Sequence, residues 1–203
     1  MTAIPVVTML GPPRRGGPLS AAIAHGILRL LGWRMDGTLP DEPRFVLIVA
    51  PHTSNWDFAL GIVAMFALRL RVTWLGKHTI FRGPAGPILR WLGGRPVDRA
   101  LPGGIVATAI AQFAAHEQHA LALSPEGTRR RTIEWKTGFH RIAEGAGVPI
   151  VPVTLDYQSR TITTGRPRPV GTETSEDVRA LRRLFRKEMA LYPERFAELE
   201  VTD

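Results

Sequence analysis

His52 and Asp57 lie five positions apart in PHTSNWDFAL (51–60), directly after the apolar run RFVLIVA (44–50). On one continuous helix that separation turns the two side chains by about 500°, so they point well apart. They converge if RFVLIVA is a buried strand, His52 sits in the loop after it and Asp57 lies on the first turn of the next helix. An imidazole held by a carboxylate is the arrangement of a general base and its orienting partner. Ser54-x-x-Asp57 also reads as a capping box, with Ser54 as N-cap and Asp57 reaching back to its N–H. The two roles are compatible: one carboxylate oxygen can brace the turn while the other holds the ring nitrogen.

Three further stretches carry chemistry. SPEGTRRR (124–131) follows the strand-like HALALS (119–124), placing Glu126, Gly127, Thr128 and Arg129 where α/β sheets bind ligands. The planar arginine fork suits phosphate, whereas Arg130 and Arg131 read as a solvated basic turn. GGRPVDR (93–99) sets Arg95 and Arg99 around Asp98; taken alone it is a turn with a surface ion pair worth about 0–1 kcal/mol. VPIVPV (148–153) has prolines at 149 and 152, which belong at a strand start, an edge or a bulge; it reads as core wall or as the lining of an apolar channel. HEQH (116–119) is one residue short of the zinc motif H-E-x-x-H, and no nucleophile elbow or glycine-rich phosphate loop is present. With no cysteine and no serine in a nucleophile context, direct transfer is the simpler chemistry, with no metal.

The elements that must position these residues follow from periodicity. Apolar residues at Leu19, Ile23, Ile27, Leu30 and Leu31 predict a helix. Strands are expected at 44–50, 72–76, 95–97, 119–124 and 149–155, with an edge strand at 160–164. Helices are expected at 56–70, 104–117, 138–145 and 175–191. The last would turn Val178, Leu181, Leu184, Phe185 and Met189 inward and Arg179, Arg182, Arg183, Arg186 and Lys187 outward. Alternating strands and helices predict an α/β fold, a central mostly parallel or mixed sheet flanked by helices. Residues 1–17, rich in Gly, Pro and Arg, read as a flexible basic arm, and 18–203 as a single domain.

Composition bounds the partners. The 203 residues carry a formal net charge of +8, which favours an anionic partner such as a phosphorylated substrate, a membrane surface or nucleic acid. The absence of cysteine suits a reducing compartment, so a cytoplasmic chain is the default. The longest apolar stretch, Phe58 to Leu68, falls short of the ~20 residues that span a bilayer, and AIPVVTML ahead of Arg14 and Arg15 is the wrong order for a signal peptide. The Leu19–Leu31 stripe, with Arg14, Arg15, Arg29 and Arg34 near it, reads either as an interfacial helix on an anionic membrane or as a helix packed on the sheet.

In order and spacing, these boxes resemble those of the glycerolipid acyltransferases of the lysophosphatidic-acid type. His52 and Asp57 match its H-x4-D box, Gly94 to Arg99 its arginine-ended second box, Glu126 to Arg129 its E-G-T-R box and VPIVPV its apolar proline box; Lys77 before Phe81 and Lys136-Thr137-Gly138 match linking pieces. The resemblance, over roughly residues 30 to 160, implies a glycerolipid-acyltransferase-like fold and O-acyl transfer from acyl-CoA or acyl carrier protein to a lysophospholipid, most simply 1-acylglycerol-3-phosphate. It implies phospholipid biosynthesis on the inner face of the cell membrane, with no cofactor beyond that co-substrate. It makes His52 and Asp57 catalytic, and Lys77, Arg95, Arg99, Glu126, Gly127, Thr128 and Arg129 substrate-binding. Pro51, Ser124, Arg130 and Thr79 depart from the family pattern around the expected acceptor site. A non-phosphate lipid or secondary-metabolite acceptor is the alternative, and a basic nucleic-acid-binding protein, which shows no recognisable binding motif here, a more distant one.

Overall fold

The computed structural model describes residues 10–97 and 104–199. Along the chain lie α1 (Pro18–Leu30), β1 (Arg34–Gly37), β2 (Arg44–Ala50), α2 (Asn55–Ala67), β3 (Thr73–Lys77), α3 (Gly86–Trp91) and β4 (Gly94–Val97). They are followed by α4 (Gly104–Ala115), β5 (His119–Leu123), α5 (Gly138–Ala146), β6 (Ile150–Asp156), β7 (Thr161–Thr164) and α6 (Thr174–Arg182). Among the described residues seven strands form one mixed sheet, ordered β1-β7-β6-β2-β5-β3-β4. Every neighbouring pair is parallel except β6 with β7.

RFVLIVA is apolar throughout because β2 is central and covered on both faces. Phe45 and Leu47 pack with Met65 of α2, while Val46, Ile48 and Ala50 pack with Phe113 of α4 and Phe139 and Ile142 of α5. Each such buried side chain contributes about 1.5–3 kcal/mol. Pro152 sits within β6 opposite Ile48, where proline is tolerated because the outer pairing is broken. Ile150 N–H donates to Arg168 O at 2.9 Å, and two residues on the neighbouring chain has turned, with Gly165 N–H donating to Pro152 O at 2.8 Å.

The structure corrects several expectations. Thr161–Thr164 is not the edge; β1, whose RMDG has no apolar alternation, pairs outside it. The stretch 86–91 is a short helix, α3. The helix expected over 175–191 stops at Arg182. Val178, Leu181, Leu184 and Phe185 still pack into the core, but Arg182 is buried and donates to the Ala197 carbonyl at 2.7 Å. A guanidinium that caps a returning chain cannot stay on an outer helix face. The described part of the expected flexible arm, residues 10–17, is tied down: Arg15 N–H donates to Arg69 O at 2.8 Å and Arg71 N–H to Pro13 O at 2.9 Å. The Arg15 guanidinium lies 4.4 Å from the Trp91 ring and 5.0 Å from Phe66.

Gly93 enters β4 at φ +93°, and a Cβ there would run into the Val72 carbonyl oxygen. Gly93→Ala is therefore expected to lower stability by about 2 kcal/mol or more, the sum of a left-handed strain and a backbone clash. Urea denaturation measures it; an unchanged midpoint contradicts the close β3–β4 approach.

Candidate active site

β2 and β5 run parallel with Arg44 opposite His119 and Ile48 opposite Leu123, so the loops beyond their carboxyl ends meet. His52, two residues past β2, donates its backbone N–H to both carboxylate oxygens of Glu126, each at 3.0 Å. Ser124 Oγ donates to Glu126 Oε2 at 3.0 Å. Burial pushes the Glu126 carboxyl above its ordinary value, against the pull of these donors, and the negative charge of Asp57 adds to the rise. Glu126 is thus a buried brace between two loops.

Asp57 stands on the first turn of α2, and Ser54 caps that helix, its Oγ accepting from Trp56 N–H at 3.1 Å. Asp57 Oδ2 accepts the N–H groups of Thr53 and Ser54, both at 2.7 Å, and lies 3.3 Å from His52 Nδ1. The other oxygen, Oδ1, accepts the Tyr157 hydroxyl at 2.7 Å. The expected division of labour is therefore corrected: one oxygen both braces the turn and faces the imidazole, and a tyrosine holds the other. The Asp57 side chain is 1% exposed and that of His52 25%. With Nδ1 turned to Asp57, Nε2 is the ring nitrogen left to meet a substrate.

His52 and Asp57 line a cavity of about 2060 Å³. Its inner wall is apolar, including Leu47, Ile62, Met65 and Val72, and Lys77, Arg129, Arg130 and Lys136 also line it. The Arg129 guanidinium donates to Asn55 Oδ1, latching the 124–131 loop to the start of α2. Gly127 adopts φ +64°, a left-handed turn that favours glycine. Thr128 lines the cavity and its Oγ1 accepts Arg130 N–H at 3.2 Å.

Arg95 does not join this group. It lines a separate recess of about 120 Å³ with Arg71, His116 and His119, at the amino ends of β3 and β5. There burial first, then His116, Arg71 and Arg95, bring the His119 imidazole down to about 4. The length of the strands separates that recess from the carboxyl ends, where Lys77 and Val97, two residues beyond the paired Leu75 and Arg95, line the large cavity. Arg99 lies outside the described residues. Tyr157, absent from the sequence reading, comes from 100 positions away. Its signal is its place just after β6, which runs beside β2 with Ala50 opposite Thr154; only the strand order makes it a neighbour of Asp57.

The brace is testable apart from any chemistry. Glu126→Ala strands the His52 N–H and is expected to lower stability by about 1–3 kcal/mol. Glu126→Gln keeps an acceptor oxygen and removes the buried charge, so at pH 8 it is expected to equal or exceed wild type. Because the folded-state pKa of Glu126 is raised, its protonated form favours folding. Wild type therefore regains ground as pH falls through that raised value, and the glutamine advantage closes toward pH 4. Urea titrations at pH 8 and pH 4 read both; an advantage that grows in acid contradicts the buried-charge account.

Residues 37–156 match the family model described as Acyltransferase. A 1-acyl-sn-glycerol-3-phosphate acyltransferase of Escherichia coli (strain K12) is 28% identical over 127 residues, 59% of this chain and 50% of the relative. One of Haemophilus influenzae is 25% identical over 146 residues, 68% and 60% respectively. The chain thus spans about half the length of the curated relatives it matches. The crystal structure of the 1-acyl-sn-glycerophosphate acyltransferase PlsC from Thermotoga maritima superposes with a TM-score of 0.60 at 16% identity, over 82% of this chain and 75% of that one, a likeness of fold. Because the family match takes in more than half of the sequence, from the end of β1 to the end of β6, this chain belongs to the Acyltransferase family.

Proposed function

We propose that the protein transfers a fatty acyl group from an acyl thioester, on coenzyme A or acyl carrier protein, to the hydroxyl of a lysophospholipid, with 1-acylglycerol-3-phosphate as acceptor. The observation that carries this reading is His52, backed at Nδ1 by a buried carboxylate and bordering a largely apolar cavity that also holds four basic side chains. Nε2 takes the hydroxyl proton as the oxygen attacks the thioester carbonyl. The tetrahedral adduct collapses by breaking the C–S bond, and the proton passes to the departing thiolate. General-base catalysis contributes about 10²–10⁴-fold, and Asp57 stabilises the imidazolium formed on the way. The N–H groups of His52, Thr53 and Ser54 are all held by carboxylates, so none can serve the oxyanion without releasing one.

Lys77, Arg129, Arg130 and Lys136 support an anionic acceptor. Arg129, although latched to Asn55 through one nitrogen, keeps further donors for a phosphate. The apolar wall suits the acyl chain, and the names of the curated relatives favour the same acceptor.

Lipid substrates call for a membrane contact, and α1 is the candidate surface for it. Its buried residues are Ala24 and Leu28, whereas the apolar stripe faces out, with Leu19 75%, Ile23 56% and Leu30 87% exposed. That supports the interfacial reading over a helix whose stripe packs on the sheet. Arg14, Arg29 and Arg34 are exposed as well, each worth about 1 kcal/mol near an anionic surface. Among the described residues no helix is long and apolar enough to cross a membrane. The localisation that follows is peripheral, on the inner face of the cell membrane.

Two experiments test the reading. His52→Ala is expected to abolish acyl transfer with the fold intact, and Arg129→Ala to cut the efficiency of lysophosphatidic acid roughly ten- to a hundredfold while sparing thioester binding. Initial rates against lysophosphatidic acid and a neutral lyso-lipid read both. Near-normal turnover by His52→Ala removes the base; equal harm to both acceptors removes the phosphate role, and a wild type that ignores lysophosphatidic acid leaves the neutral acceptor. For the surface, the double change Ile23→Asp, Leu30→Asp is expected to release the protein from anionic vesicles in a sedimentation assay, and unchanged binding rules α1 out.

A further inference from the structure

Four donors converge on the Asp57 carboxylate, and only one comes from outside its own turn. Thr53 N–H, Ser54 N–H and the His52 ring all approach Oδ2, whereas Oδ1 has the Tyr157 hydroxyl, at 2.7 Å. A carboxylate held through one oxygen can swing about its Cβ–Cγ bond; held through both, its plane is set. The 3.3 Å approach to His52 Nδ1 depends on that plane.

Tyr157 is itself held from three sides. It leaves β6 immediately after Asp156, its N–H donates to the Met189 carbonyl at 2.9 Å, and its ring meets Trp33 edge-on at 4.9 Å and 89°. Met189 begins a returning segment that also grips the turn. Tyr192 N–H donates to Thr53 Oγ1 at 3.3 Å and the Arg195 guanidinium to the Thr53 carbonyl at 3.2 Å. The segment therefore holds the tyrosine and the His52–Asp57 turn in one unit.

We propose that Tyr157 is a positioning residue of acyl transfer: its hydroxyl pins Asp57 Oδ1 so that Oδ2 stays on His52 Nδ1. The proposal rests on His52 acting as the base. Burial and the adjoining carboxylate push the Tyr157 phenol well above its ordinary value, so it remains a donor throughout the working pH range. The titratable and charged groups around the pair are Glu126 and Tyr157 with, farther out, Tyr192 beside Tyr157, Arg182 beside Glu126, Arg195 on the Thr53 carbonyl and Arg129 on Asn55.

Tyr157→Phe removes one oxygen atom and keeps the ring against Trp33. It is expected to lower kcat about 10- to 100-fold, the loss of a hydrogen bond to a charged group, with KM for thioester and acceptor within about twofold. A carboxylate with one donor fewer has its negative charge less stabilised, is more basic and so favours the neighbouring imidazolium. The acid limb of kcat/KM is therefore expected to move up by about half a unit, which loss of packing alone does not produce. Histidine ¹⁵N NMR reads the same upward shift at His52 without turnover, provided the variant's melting curve shows it folded. Should the phenylalanine variant be unfolded, 3-fluorotyrosine at position 157, a more acidic donor of the same shape, is expected to move the limb down. Wild-type kcat with an unmoved limb in Tyr157→Phe, beside an inactive His52→Ala, overturns the role of Tyr157 and leaves the base in place. An unmoved limb in the fluorotyrosine protein does the same. An active His52→Ala instead overturns the reading beneath it.

Discussion

Three consecutive backbone N–H groups, those of His52, Thr53 and Ser54, point at two buried carboxylates. Everything at the site depends on this arrangement. A chain leaving a central strand exposes N–H groups that no neighbouring strand can take, and burying them unpaired is costly. Carboxylates are costly to bury for the opposite reason, because they lose water around a full charge. Each deficit answers the other. Asp57 carries the heavier share: it braces the turn, caps α2, faces the imidazole and accepts the Tyr157 hydroxyl. Its geometry is therefore over-determined, as a carboxylate that must hold an imidazole in one orientation requires.

The sheet explains why these groups meet. β2 lies between β5 and β6, parallel to both, so three carboxyl ends point the same way and the segments after them meet. One brings His52 and Asp57, the second Glu126, the third Tyr157. The opposite end of the strands gathers Arg71, Arg95, His116 and His119 around another recess. Excess positive charge is thus divided between two ends of the molecule, and only part of it borders the His52–Asp57 cavity.

Legibility followed how local the physics is. The boundaries of β2, the loop position of His52 and the capping role of Ser54 were readable because an apolar run and a capping box are local signals. β1 was not, since Arg34, Met35 and Asp36 have no alternation and become a strand only because β7 offers an edge. α6 stopped early because Arg182 found the Ala197 carbonyl, a tertiary contact that periodicity over 175–191 cannot report. The inward turn of Glu126 is not readable from its motif, because it is fixed by the His52 N–H, a partner 74 positions away. Arg95 lies near the start of β4 and borders the recess with Arg71, His116 and His119, a neighbourhood set by strand order that its own motif does not report.

Chemistry and selectivity are divided between depth and rim. The carboxylates are buried and multiply bonded, and a change there disturbs the turn, the helix cap and the imidazole at once. Arg129, Arg130 and Lys136 are exposed, so substitutions at Arg130 and Lys136 alter the charge at the cavity rim, whereas Arg129 also latches its loop to Asn55. Ser124 belongs to the deep layer even though it departs from the aromatic usual before Pro-Glu-Gly, since its hydroxyl is the second donor to Glu126. An aromatic there would leave the Glu126 carboxylate to the His52 N–H alone. Arg130, another departure, lies on the cavity wall with its N–H held by Thr128. One departure thus tightens the frame around His52 while another adds charge to the cavity wall.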